Sequence, residues 1–310
     1  VLNDYDGMKL KYSVGALLYC PAINDKIVRQ IVGERITPPY SAALCLEDAI
    51  ADNMVQQAEK QLLHHLQEIY KAYNDRSFYL PKIFIRVRSG EQAVSLYQKA
   101  GECRNLITGF LFPKYTLSTV DSCHAAILEI NRIASQKVYL MPILESWDIL
   151  SLSTRQHVLE ELRKKTDEMY DYILNIRVGG NDFCNSYRLR RNSGQTIYDI
   201  GIIQSCLIDI LNWFSRDYVV SAPVWEYFDA GISNTWKSTL RREVELDRLN
   251  GFVGKTVIHP SQIPVVNASM QIPRDEYMDA CQILQWIDST KGVEKGTFSG
   301  RMNEVKCHTR

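Results

Sequence analysis

The sequence predicts an α/β fold, a (β/α)8 TIM barrel with a C-terminal helical extension, and three observations carry that prediction. Short apolar runs alternate with stretches of helical periodicity eight times, over about 260 residues, the length such barrels need. No Gly-x-Gly-x-x-Gly turn follows any of the runs, which sets aside a dinucleotide-binding sheet. No linker-like tract, internal repeat or low-complexity segment interrupts the alternation.

The elements follow in order. Val14–Cys20 is the first apolar run, stopped by Pro21 and followed by an amphipathic stretch from Asp25 to Val32. Ser41–Leu46 is the second and runs into Glu47-Asp48. From about Ala51 to Tyr73, Val55, Ala58, Leu62, Leu66 and Ile69 recur on one helical face. Ile83–Val87 is the third strand, with a helix over Glu91–Ala100, and Leu106–Phe112 is the fourth, with a helix from about Ser118 to Ala134. Lys137–Leu144 and Tyr172–Val178 are the fifth and sixth, separated by a charged helical stretch from about Ser153 to Tyr170. A helix over Thr196–Phe214, a strand over Asp217–Ala222, a helical segment to about Leu249 and a strand over Thr256–Ile258 complete the count. The barrel is thus assigned to residues 1–272. Residues 273–310, with a helix from about Arg274 and a Gly-containing tail, form the extension.

Composition narrows the functional classes. Lys+Arg and Asp+Glu stand at 36 each, so no global field recruits nucleic acid or an anionic membrane. No apolar run approaches the ~18 residues of a membrane span, and the acidic Val1–Asp6 segment has no signal-peptide layout. The 8 cysteines are scattered without a Cys-x-x-Cys pair, which suits a reducing cytoplasm better than a disulfide scaffold or zinc site. Cys184, beside Asp182, is the one thiol placed where reactivity would matter. A cytoplasmic protein acting on small molecules is expected.

In such barrels the loops after the strands build the active site. Those positions hold Pro21, Glu47, Asp48, Arg86, Arg88, Lys114, Glu145, Asp182, Glu226 and His259. Glu145 and Asp182 follow adjacent strands and make a seat for a hard divalent cation, which takes one or two carboxylates and keeps several waters. The alternative is a pair of solvated loop acids. Arg86 lies inside the apolar Ile83-Phe-Ile-Arg-Val87 run, where a guanidinium needs an anionic partner. Glu47 or Asp48 supplies one as a structural ion pair, a substrate anion another.

These residues carry a resemblance. Leu46-Glu-Asp-Ala-Ile50 resembles the Leu-Glu-Asp-Ala-Val of the citrate lyase beta-subunit family, magnesium-dependent carbon–carbon lyases that include malyl- and citramalyl-CoA lyases. Arg86-Val87, Phe112-Pro-Lys114, Leu144-Glu-Ser146, Gly179-Gly-Asn-Asp-Phe183 and Gly251-Phe-Val-Gly-Lys255 through Ile258-His-Pro-Ser-Gln262 resemble further family motifs in the same order. The resemblance covers nearly the whole chain in pieces. It implies that Glu145 and Asp182 bind Mg²⁺, with Mn²⁺ as a substitute, and that Arg86 stabilises an enolate oxygen or holds a substrate carboxylate. Glu47 and Asp48 would orient Arg86 and metal-bound water, and Lys114 would join that network. Gly254-Lys255 would approach a phosphate or the coenzyme A arm, and His259 reads as structural. Gly300-Arg-Met-Asn-Glu304 resembles a tail segment that reaches a neighbouring subunit's site. Glu304 is therefore either a carboxylate delivered within a homo-oligomer or part of a solvated terminus.

The match departs in three places. Strand one ends in Cys20-Pro-Ala-Ile-Asn-Asp25, Asn185–Gly194 is inserted after Asp182, and Pro223-Val-Trp-Glu-Tyr-Phe228 follows strand seven. Arg188, Arg190 and Arg191 offer a bidentate grip on phosphate or carboxylate, or surface ion pairs of little energetic weight. These departures look closer to a divergent branch associated with bacterial tellurium- and stress-resistance gene clusters, with a phosphorylated or nucleotide-like metabolite in place of a CoA ester. The resemblance thus implies a Mg²⁺-dependent lyase acting on a carboxylate- or phosphate-bearing hydroxy or keto acid, or its CoA thioester. Another enolate reaction (thioester hydrolysis or condensation), or a non-catalytic barrel subunit of a larger complex, is the alternative.

Overall fold

The computed structural model describes residues 9–228, 235–285 and 292–304. The chain divides into two compact units, Val1–Ser269 and Met270–Arg310.

In the first unit, eight strands alternate with helices in chain order. They are β1 (Ala16–Pro21), α1 (Lys26–Val32), β2 (Ser41–Cys45), α2 (Val55–Asp75), β3 (Lys82–Arg86), α3 (Gly90–Lys99), β4 (Ile107–Phe112) and α4 (Val120–Ile133). There follow β5 (Tyr139–Leu144), α5 (Trp147–Leu150), α6 (Arg155–Glu168), β6 (Ile176–Val178), α7 (Gly180–Ser186) and α8 (Gly201–Phe214). β7 (Val220–Ser221), α9 (Thr235–Asn250), β8 (Lys255–Val257) and α10 (Ile263–Ser269) complete the unit. The sheet order is β7-β6-β5-β4-β3-β2-β1-β8, every neighbouring pair parallel. A parallel bridge between Ala222 and Lys255 joins the two edges and closes the barrel. The fold class is that predicted from the alternation of apolar runs.

Helix faces follow the sequence pattern. α2 buries Ala58, Leu62, Leu66 and Ile69 on one stripe, as the spacing requires. Inside the barrel, Leu17, Ala43, Phe84, Leu111, Met141 and Ile143 belong to one buried cluster contributed by five successive strands. Each large side chain there adds about 1.5–3 kcal/mol on leaving water. Burying these residues fixes which alternate positions face inward, and hence which side chains stand above them at the strand ends.

The differences from expectation are local. The strand expected over Asp217–Ala222 shortens to Val220–Ser221 because Asp217 and Tyr218 donate back to Phe214 O, prolonging the turn that ends α8. Asp182, expected in a loop, sits in the first turn of α7. Gly254 has φ +74, and its O accepts from Ala222 N at 3.1 Å while an added Cβ would lie 2.6 Å from Gly15 O. Its glycine freedom therefore serves barrel closure; the expected approach to a phosphate does not use it.

In the second unit, α11 (Arg274–Leu284) precedes an antiparallel pair, β9 (Val293–Lys295) and β10 (Met302–Glu304). The pair was not legible in sequence: each strand is three residues long, and all of β9 is exposed, so no apolar alternation marks it. Among the described residues no helix is long and apolar enough to cross a membrane.

Candidate metal and substrate site

Four loops bring charge to the C-terminal rim of the barrel. After β2, the chain turns through Glu47 and Asp48, and Arg88 holds that turn. Its Nε donates to Leu46 O at 2.8 Å and its Nη2 to Ile50 O at 2.5 Å, while Nη1 pairs with Asp52. Arg86 ends β3 and is 7% exposed. Its Nη2 lies 2.6 Å from Glu47 Oε2, 2.8 Å from Asp48 Oδ2 and 3.7 Å from Glu145 Oε1. Burial alone would lower the Arg86 pKa, but Tyr19, Glu145 and Glu47 outweigh it and hold the guanidinium charged.

Lys114 follows β4 at φ +50, a left-handed conformation rare for a residue with a side chain. That conformation aims its N–H at Glu145 Oε1, 2.8 Å away, while its Nζ reaches Glu47 Oε1 at 2.9 Å. One residue thus ties the loops after β2 and β5 together. Gly179, after β6, lies so close to Glu145 that an added Cβ would overlap the Glu145 Cβ and Oε2.

The carboxylates do not titrate alike. Burial drives Glu145 up to about 8, aided by the charge on Asp182 and opposed by Arg86. Burial and the Asp48 charge also raise Asp182, against a hydrogen bond with Glu145 and the charges on Arg86 and Lys114. Burial acts on Asp48 too, yet hydrogen bonding with Glu47 and the positive charge of Arg86 hold it below the usual range.

Asp48, Arg86, Glu145 and Asp182 line one cavity of about 180 Å³, together with Tyr19, Ile143, Arg177, Val178, Gly179, Asn181, Val224, Thr256 and Ile258. Glu145 and Asp182 fit a hard dication by chemistry: two oxygen donors on adjacent strand ends, each raised in pKa because nearby cations do not fully offset its burial and its acidic neighbours. Among the described residues, no cluster of three or more His, Cys, Asp or Glu side chains is arranged around a metal position. A seat of this kind would take its remaining ligands from water or substrate.

The expected site residues separate into two groups. Glu47, Asp48, Arg86, Lys114, Glu145 and Asp182 come together. Lys255 does not: it is fully buried, 2.9 Å from Glu243 Oε1 and 2.7 Å from Asp247 Oδ2 on α9, so no coenzyme phosphate reaches it. Arg191 is likewise no substrate grip. It is 2% exposed and spends its donors on Glu226, Glu243 and Val224 O, packing the inserted loop against α9. Arg188 is exposed, in the loop after α7. Glu304 lies on β10 in the second unit. His259 accepts from Ser261 N, caps the Pro260–Gln262 turn and stacks on Phe228. Cys184 is buried, which raises its thiol pKa and argues against reactivity.

Sequence reading missed Arg177, Tyr19 and Thr256 as cavity residues. Arg177 had the same signal as Arg86, a guanidinium inside the apolar Ile176-Arg-Val178 strand.

A family model described as C-C bond lyase of the TIM-barrel fold matches residues 8–310. The chain belongs to this family. Solved structures similar to this lyase-family barrel include a citrate lyase from Burkholderia xenovorans LB400, 13% identical with a TM-score of 0.68, covering 94% of this chain and 87% of that one. Another is CitE from Mycobacterium tuberculosis in complex with magnesium, acetoacetate and coenzyme A, 18% identical, TM-score 0.57, covering 95% and 94%. A third is the citrate lyase beta subunit from M. tuberculosis with oxaloacetate and magnesium, 18% identical, TM-score 0.54, covering 86% and 100%. At these identities the likeness is one of fold. No curated protein matches.

Proposed function

We propose that this family member is a Mg²⁺-dependent carbon–carbon bond lyase acting on a carboxylate-bearing hydroxy or keto acid or its CoA thioester. One observation carries the reading: Glu145 and Asp182, raised in pKa on adjacent strand ends, share a cavity with the buried guanidinium of Arg86. Glu145 and Asp182 would hold the cation, which when bound supplies Lewis-acid polarisation of a substrate oxygen. Arg86, held in place by Glu47 and Asp48, places positive charge where an enolate oxygen develops as the bond breaks. Lys114 keeps Glu145 and Glu47 in register through its N–H and Nζ. The solved relatives with magnesium and small keto acids, one also with coenzyme A, support the cofactor and substrate class. The exposed Arg188 and Arg190 are the remaining cations of the expected set for a phosphate or coenzyme arm, since Lys255 and Arg191 are consumed in ion pairs.

We place the protein in the cytoplasm as a homo-oligomer in which Glu304 serves a neighbouring subunit. Truncation after residue 292 then lowers activity and changes the mass in solution; no change in either sinks this part.

Calorimetry with Mg²⁺ on the wild type and on Asp182→Ala tests the metal seat, and a screen of hydroxy and keto acids for Mg²⁺-dependent cleavage, repeated with Arg86→Ala, tests the chemistry. Wild-type protein that binds no Mg²⁺ overturns the reading. Turnover indifferent to Arg86→Ala removes Arg86 from the reaction.

A further inference from the structure

Arg177 is the other guanidinium in the cavity, and its surroundings differ from those of Arg86. It extends from β6 at 1% exposure and lines the cavity. Its Nη2 donates to Thr256 Oγ1 on β8, which fixes the plane of the group. Its Nε and Nη1 are buried and have no hydrogen-bond partner. Among the described residues no carboxylate lies within ion-pair distance of Arg177, whereas the charge on Arg86 is matched by Glu47, Asp48 and Glu145. A buried cation without a carboxylate beside it is costly to keep: burial lowers the Arg177 pKa, and the Tyr19 hydroxyl offsets that only in part. A residue in that state is explained most directly by an anion that arrives with the substrate.

The cavity lining has two chemically unlike parts. Asp48, Arg86, Glu145 and Asp182 come from the loops and ends of β2, β3, β5 and β6. Arg177 and Thr256, hydrogen-bonded to each other, form the part without a carboxylate, and Tyr19 of β1 lies beside both guanidinium groups. The planar guanidinium matches a carboxylate bidentately along an edge that includes Nη2, either Nε with Nη2 or Nη1 with Nη2. In Arg177 one Nη2 hydrogen is spent on Thr256 while Nε and Nη1 are unpartnered, so one such edge stays open. We propose that Arg177, oriented by Thr256, is the residue that seats a carboxylate of the substrate, placing the reacting carbons between it and the Glu145–Asp182 pair. This rests on the lyase reading and narrows it to a substrate carrying a free carboxylate at the buried end. It also shifts the recognition of that group from Arg86 to a residue on β6. A coenzyme thioester, if used, would extend outward from the opposite end.

The test is calorimetric titration of the full chain with oxaloacetate, acetoacetate and inorganic phosphate, each with and without Mg²⁺. Wild-type protein is expected to bind at least one of the two keto acids. Arg177→Met, which keeps much of the stem volume and removes the charge, is expected to weaken that binding at least tenfold. It should leave Mg²⁺ binding in the absence of acid equal or tighter, because a nearby positive charge is lost. Arg177→Lys, with the charge but not the fork, should fall between them. Keto-acid affinity unchanged in Arg177→Met overturns the proposal, as does wild type that binds neither acid, or binds phosphate alone. Loss of Mg²⁺ binding in the wild type strikes the metal seat instead, so the two failures are distinguishable. Thermal unfolding accompanies each variant. If Arg177→Met does not fold, Thr256→Val, isosteric but without the acceptor for Nη2, is expected to weaken keto-acid binding several-fold; unchanged binding there is equally fatal.

Discussion

Gly179→Ala is the most informative single substitution. The added methyl group would overlap Glu145 Cβ and Oε2 and come 3.1 Å from its Cδ. Gly179 is itself anchored by its N–H to Leu144 O at 3.0 Å, so the Glu145 side chain is the freer partner and must swing away. Moving it breaks the 2.8 Å bond from Lys114 N, a charge-assisted contact worth about 1.5–3 kcal/mol. Crowding a packed site adds roughly 1–3 kcal/mol. Because part of the strain is relieved by the movement, a net loss of about 2–4 kcal/mol is expected, or a melting-temperature drop of about 5–10 °C for a domain of this size. Displacing a proposed metal ligand by an ångström-scale shift should also weaken Mg²⁺ binding by roughly 10–100-fold, the range seen when the support of a ligand is lost. Differential scanning fluorimetry reads the first effect and calorimetry the second. Gly201→Ala is the matched control, since nothing lies within 4 Å of an added Cβ at the start of α8 and the helix should gain rather than lose stability. If Gly179→Ala melts and binds Mg²⁺ like the wild type, the steric argument and the assignment of Glu145 both fail.

Mg²⁺ affinity measured from pH 6 to 9 should rise with pH and level off above about 8, because the cation competes with the proton on Glu145. Without metal the stability linkage has the opposite sense: the raised folded pKa makes the Glu145 contribution full below about 4.5 and progressively lost as pH rises to about 8, visible as a falling melting temperature that Glu145→Gln flattens. Lys255→Met leaves Glu243 and Asp247 buried without their shared cation and should cost about 3–5 kcal/mol in urea unfolding, with Mg²⁺ affinity unchanged; a selective loss of ligand binding at normal stability would return Lys255 to the site. Arg188→Ala should leave the melting temperature within about 1 °C, as surface substitutions do, while lowering affinity for coenzyme A if that arm runs over the loop after α7.

The sequence by itself determined the barrel, because apolar runs at strand spacing and amphipathic faces at helix spacing are local patterns that burial enforces. It also determined that acids and cations follow the strands, and the family motifs carried Glu47, Asp48, Arg86, Lys114, Glu145 and Asp182 onto one rim. It could not sort the remaining cations. Arg191 and Lys255 look like ligand grips in a linear string, yet α9 turns Glu243 toward both the inserted loop and β8 and adds Asp247 for Lys255, pairings that no local pattern marks. Conversely, Arg177 reads as one charged residue in a short apolar strand. Only closure of the barrel puts it in one cavity with Arg86 and Asp48, with Thr256, 79 positions later, holding its plane. Which guanidinium is neutralised and which is left with open donors depends on what the folded chain brings within about 3 Å, and charge compensation falls off too steeply with distance to be written into local sequence.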